Sequence, residues 1–144
     1  MTIKAFYVRS SRSNPLADLM IAGWKTIETR TRRTLDALAG TGESVYIIRS
    51  GSGRRSMIVG RCYLGSAYWC PAERFHDQDV IAKTRVFQGD PFDVTTGGKW
   101  LYDVWMAEPL PVEIPVPDDA VRHGRVWIEA EIPGIERLIP ESVW

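Results

Sequence analysis

The chain has 144 residues, 44% hydrophobic and 25% charged, with 18 basic and 18 acidic side chains and no formal net charge. That length suits one domain able to bury roughly 70% of its unfolded surface, and the composition argues against disorder. A neutral total argues against a strongly basic nucleic-acid binder. No apolar run reaches the ~18 residues of a membrane span, and residues 1–8 lack a leader's long apolar core, so the expected location is cytoplasmic.

The charge is unevenly spread. Residues 1–61 hold 11 Lys and Arg against 4 Asp and Glu, whereas residues 62–144 hold 7 against 14. Either the fold keeps a basic, phosphate-facing surface apart, or the two halves interleave and the charges mix; the sequence favours neither. Cys62 and Cys70 are too few and too poorly spaced for a zinc site or a disulfide framework and are expected as reduced thiols.

In chain order, residues 3–8 alternate as a first strand. The loop from Arg9 to Ser13, with Arg12, faces a helix start at which Asn14 is the expected N-cap and Pro15 the first helical residue. Such a loop suits an anion, although more often it is simply solvated. Leu16, Leu19 and Met20 give helical spacing over 15–22, and Gly23 follows as the residue that ends the helix. β-branched residues at 26, 27, 29 and 31 then favour an extended chain. In a strand, Thr26, Glu28 and Arg30 share one face and Lys25, Ile27 and Thr29 the other. Lys25, at the corner, can still reach the polar face. With Arg32 and Arg33 beyond, the stretch is either a polar ligand pocket or an exposed strand face whose ion pairs contribute ~0.2–1 kcal/mol each. Residue types alone favour the exposed face.

Residues 34–39 read as one helical turn closed by Gly40, and 45–49 as a strand. The basic turn at 50–55 lacks P-loop spacing; it is a hairpin with solvated arginines or a phosphate nest using Arg54 and Arg55. Residues 56–68 are β-rich, with Gly60 and Gly65 marking bulges or bends. Helical pieces are expected from Pro71 to Phe75 and from Val80 to Phe87. His76 to Asp79 match no metal motif and read as a solvated junction, so no metal is expected. The 88–98 loop is long enough to be a lid or simply a mobile segment. Residues 100–107 are apolar on both faces, as in a central strand, while 112–116, threaded with prolines, suit an edge strand. A connection over 118–124 leads to an amphipathic strand over 125–132. Ile135, Leu138 and Ile139 are expected to pack the end of the fold. Of six tryptophans, Trp24 and Trp127 are the two placed to stack on a base, a contact worth ~1–3 kcal/mol. No repeat, linker or second domain is visible in residues 1–144.

Gly23-x-Lys25-x-x-Glu28-x-Arg30 resembles the G-x-K-x-x-E-x-R signature of ASCH domains, members of the PUA-like superfamily. Lys99 to Tyr102 and Arg125 to Trp127 resemble the family's closing strands, so the resemblance touches both ends of the chain, with the eight-residue signature its specific part. It implies an α+β fold: a small PUA-like β-barrel of about six mixed strands with peripheral short helices. The signature would line a cleft, closed by Arg49 and Ser50 and reached by Tyr102. The implied function is RNA or nucleotide binding. Arg30, Arg32, Arg33, Arg54 and Arg55, with Arg9 and Arg12, would meet phosphates; Glu28 would accept from a base, and Trp24 or Trp127 would stack. The alternative is a hydrolase, either an amidohydrolase on N4-acylated cytidine or a ribonuclease, with Lys25 and Glu28 as acid and base. The amidohydrolase motif K-x-x-T puts threonine where this chain has Glu28, with Thr26 and Thr29 out of register. A third reading is a structural or interaction barrel with no pocket around Lys25. No cofactor is implied, and the oligomeric state is left open.

Overall fold

The computed structural model describes residues 1–51, 53–94 and 97–138. Among them run β1 (Thr2–Arg9), α1 (Leu16–Ile21), β2 (Ile27–Arg30), β3 (Val45–Ser50), β4 (Met57–Leu64), β5 (Tyr68–Pro71), α2 (Ala72–Phe75), α3 (Gln78–Thr84), β6 (Gly98–Pro115), β7 (Val121–His123) and β8 (Trp127–Glu131), with a 3-10 turn at Ile135–Leu138. Most elements fall where the sequence pattern puts them, but β5 takes Pro71 as its last residue, α3 ends at Thr84 short of Phe87 because Arg85 turns left-handed, and the 118–124 connection contains β7. Gly23 takes φ +83 at the helix end, and the 34–40 turn closes on Leu35 O and Gly40. No helix is long and apolar enough to cross a membrane. Expectations for Ile139 and for residues 95–96 of the 88–98 loop fall outside the described residues.

The strands form one mixed sheet in the order β2-β6-β4-β3-β1-β8-β7, with β5 also pairing β6. Only β1 and β3 are parallel; the other described pairs are antiparallel. The sheet has eight strands rather than about six, and it is open rather than a closed barrel. Closure requires every strand to be paired on both sides. Here the terminal strands β2 and β7 hold only four and three residues and do not meet.

β6 corrects the expectation of two separate strands. Its first part pairs β2 and β5, and it then continues through Pro109, Pro111 and Pro115 along β4. The proline-bearing part has only β4 beside it, so prolines sit there without removing a second ladder. Met57 to Leu64 of β4 faces Pro115 to Val104, so β6 holds four residues more than its partner, absorbed at two register shifts. Met106, at φ +54, lies in the second. These bulges bend β6 and carry it from one part of the sheet to the other.

β1 and β3 bury both faces. Phe6, Val8, Val45 and Ile47 join a core with α1 and Tyr102; Ile3, Ala5, Tyr46 and Ile48 join a second with Ile58, Ile128 and Ile135. α1 lays Leu16, Ala17 and Met20 on the first core. It comes so close to β4 that a Cβ on Gly60 would lie 2.5 Å from Ile21 Cγ2 and 2.6 Å from Glu108 O. β8 alternates as expected, with Ile128, Ala130 and Ile132 buried.

Candidate functional site

The site begins where α1 turns into β2. The N–H groups of Trp24 and Lys25 both return to Leu19 O, which reverses the chain, and Thr26 is held by its backbone between Lys83 O and Val104 N. Lys25 is thereby driven inward. Its Nζ donates to Ile27 O and Thr84 O, each at 2.7 Å, and stands 3.5 Å from Glu28 Oε1. Glu28 also accepts from Thr29 N at 3.0 Å and from Arg30 Nη2 at 3.0 Å, and Arg30 Nη2 donates in addition to Tyr7 O at 2.5 Å. The signature thus converges on one carboxylate held between two cations.

Lys25 is 0% exposed and Glu28 4%. Burial pulls the Lys25 ammonium below its ordinary pKa, with the Glu28 charge opposing it. Burial pushes Glu28 up, but the charges of Arg30 and Lys25 and the Thr29 N–H outweigh it, so the carboxylate stays below its ordinary range. Glu28 is therefore an ionised acceptor at neutral pH.

Above the pair opens a cleft of about 620 Å³, lined by Glu28, Thr29 and Arg30 of β2, Tyr7 and Arg9 of β1, Ser50, Phe92, and Arg122 and Arg125 of the β7–β8 hairpin. Arg122 donates to the Tyr7 hydroxyl at 3.0 Å. Arg9 and Arg125 are exposed and have no acceptor among the described residues. One buried carboxylate faces four guanidinium groups, an arrangement suited to an anion that also carries a hydrogen-bond donor.

The other expected residues are spread more widely. Lys25 reaches the polar face of β2 but has no surface open to a ligand, because three acceptors enclose its head. Thr26 is exposed outside the cleft. Arg33 pairs with Asp36 at 2.8 Å and lies over the Trp100 ring, and Arg32 is exposed beside it; neither lines the cleft. Tyr102 is buried, with its hydroxyl donating to Asp36 at 2.6 Å, and does not reach the cleft. Trp24 is 61% exposed, with the Arg85 guanidinium over it. Trp127 is stacked on His123 at 3.7 Å. Both are therefore away from the cleft lining, and the aromatic walls there are Tyr7 and Phe92. Arg49 does not close the Glu28 cleft, being held by Asp18 at 3.1 Å and by both oxygens of Glu113; Ser50 does line it. Arg12 and Arg54 line adjoining hollows, and Arg55 is exposed.

The start of α1 is tied up within the fold. Ser10 Oγ accepts from Ala17 N at 3.1 Å, and Asn14 is not a cap: its Nδ2 donates to Arg85 O and Asp90 Oδ2. His76 pairs with Asp93 at 2.7 Å, and no group of three metal-ligating side chains occurs among the described residues. Cys62 and Cys70 are free and buried, and burial pushes both thiols up, so neither is a ready nucleophile. Arg122, Arg125 and Phe92 escaped the sequence reading. The one available signal was a pair of arginines flanking Gly124 in an otherwise acidic half.

No protein-family model matches the sequence, and no curated protein does. Solved structures are similar to it in fold. A crystal structure of a serine-to-alanine mutant of ZmASCH from Zymomonas mobilis matches with a TM-score of 0.60 at 14% identity, over 92% of this chain and 91% of that one. A tyrosine-to-phenylalanine mutant of the same protein matches with a TM-score of 0.56 at 17% identity, over 80% and 76%.

Proposed function

We propose that this protein, which shares the fold of an ASCH-domain protein, is an ASCH-type domain that binds RNA or a nucleotide in the Glu28 cleft. The observation that carries this reading is an ionised, buried carboxylate at the floor of an open cleft whose rim holds two arginines with no acceptor among the described residues. Glu28 Oε1 is taken by Thr29 N and the Lys25 ammonium, whereas Oε2 accepts only from Arg30 among the described residues and keeps a lone pair, so the carboxylate can accept from the amino group of an unstacked base. Tyr7 and Phe92 offer ring surfaces for that base. Arg9 and Arg125 meet phosphate and supply salt-sensitive affinity. Lys25 is a positioning residue: it fixes Glu28 and ties β2 to the end of α3 without touching the ligand.

Hydrolysis finds less support in this geometry. A lysine with no open surface cannot take a proton from a nucleophile in the cleft, and a carboxylate paired to Arg30 is a weak base. The deciding experiment is an anisotropy titration with labelled single-stranded RNA at two salt concentrations, followed by a denaturing gel. Arg125→Ala, a change at an exposed side chain without a partner among the described residues, is expected to leave the fold intact and weaken binding about tenfold. Absence of binding would sink the reading; RNA shortened on the gel would move it to the nuclease alternative.

A further inference from the structure

The cleft does not end at Arg9. Arg9 and Phe92 also line a second hollow of about 590 Å³, shared with Arg12 and Gly51. Arg12 and Gly51 in turn line a third, of about 400 Å³, whose far side carries Arg54. What joins them is the close approach of the β3–β4 hairpin to the loop after β1. Ser10 N donates to Ser50 O at 2.8 Å, and Gly51 sits at φ +97 against the Ser10 carbonyl, where a Cβ would collide. The three hollows therefore adjoin along one seam, sharing Arg9, Phe92, Arg12, Gly51 and Ser50, with Arg54 also on its wall.

Most of the charge along this seam is available. Asp18 also lines the third hollow, but Arg49 holds its carboxylate at 3.1 Å. Arg12 and Arg54 have no hydrogen-bond acceptor among the described residues; Arg54 feels the Glu113 carboxylate, which both guanidinium nitrogens of Arg49 already hold. The three chain steps from Arg9 to Arg12 span at most about 10 Å, so the two side chains can meet neighbouring phosphates of one strand. A mononucleotide seated at Glu28 would leave the second and third hollows empty; a phosphodiester chain would fill them.

Resting on the cleft reading above, we infer that the seam is the backbone path of a single-stranded nucleic acid: one base enters the Glu28 cleft and the following phosphates lie against Arg12 and then Arg54. The ligand is then an oligonucleotide, and its affinity comes in good part from outside the cleft. The seam grips phosphate rather than bases, so it adds affinity without adding sequence preference.

The test compares a mononucleotide with trinucleotides of RNA and of DNA, titrated by calorimetry into the wild type, the Arg12→Ala/Arg54→Ala double variant and Arg125→Ala. The expected result is a trinucleotide advantage of about tenfold or more. The double variant should abolish it while leaving mononucleotide affinity unchanged. The two sugar series show which chain fills the seam, and the loss is expected in whichever binds. Equal affinity for mononucleotide and trinucleotide, or an advantage that survives the double variant, overturns the seam and leaves the cleft reading standing. A trinucleotide lost in the double variant but indifferent to Arg125→Ala upholds the seam and overturns the cleft. Absence of binding by every ligand overturns both.

Discussion

At the scale of single residues, the chemistry turns on Lys25 and Glu28, and their burial has measurable consequences. Lys25→Met removes one partner of a buried pair and two hydrogen bonds at once, an expected loss of about 3–5 kcal/mol, read from the urea midpoint. Glu28 sets the acid limb. Its folded pKa is depressed below the ordinary 4.5, so its stabilising contribution is full above that value and is lost as pH falls through the lower folded one. Melting curves from pH 3 to 7 should therefore show a shallower acid decline for Glu28→Gln than for the wild type. The Lys25 shift acts in the same sense. Its burial costs stability at neutral pH, and that cost is relieved as pH rises from the lowered folded value to the ordinary 10.5. The convergence of Lys25, Glu28 and Arg30 was legible because strand periodicity and a corner position suffice to bring them together. Whether Lys25 would face a ligand or the core was not, since α3, which encloses it through Thr84 O, lies far along the chain.

Among the elements, β6 departs most from what the sequence suggests. Its prolines mark an open edge, as the sequence suggests, and the excess residues go into bulges. Local pattern does not show that the central stretch and the edge stretch are one strand handed from one part of the sheet to another, so the sequence suggests two strands where one exists. The bulge at Met106 is strained in a way that can be tested. A left-handed backbone suits glycine and is poor for a β-branched side chain, and Met106 is half exposed, so packing contributes little. Met106→Val is expected to destabilise by about 1–3 kcal/mol, while Met106→Gly should be neutral or gain up to about 1 kcal/mol, both read from thermal midpoints.

For the molecule as a whole, the uneven charge resolves into a mixture of both sequence alternatives. The cleft and the seam draw Arg9, Arg12, Arg30 and Arg54 from the basic half, yet Arg122 and Arg125 of the cleft come from the acidic half, brought beside β1 by β8. If three arginines each displace a counterion from a single strand, the logarithm of the binding constant should fall with the logarithm of salt with a slope of about −2; Arg12→Ala should flatten it by about 0.7. A salt titration of oligonucleotide binding checks both. Sequence proximity found the floor of the cleft and missed its far wall, because that wall is built by strand order. The same strand order bears on how the protein is made. Ala5 pairs with Tyr46 on one side and with Ile128 on the other. As the chain leaves the ribosome, β1 acquires its first neighbour early and must wait for β8 before its second edge is covered. The strand that leads this sheet in chain order is thus among the last to be completed, and until then a row of unpaired backbone groups lies open to any other nascent chain.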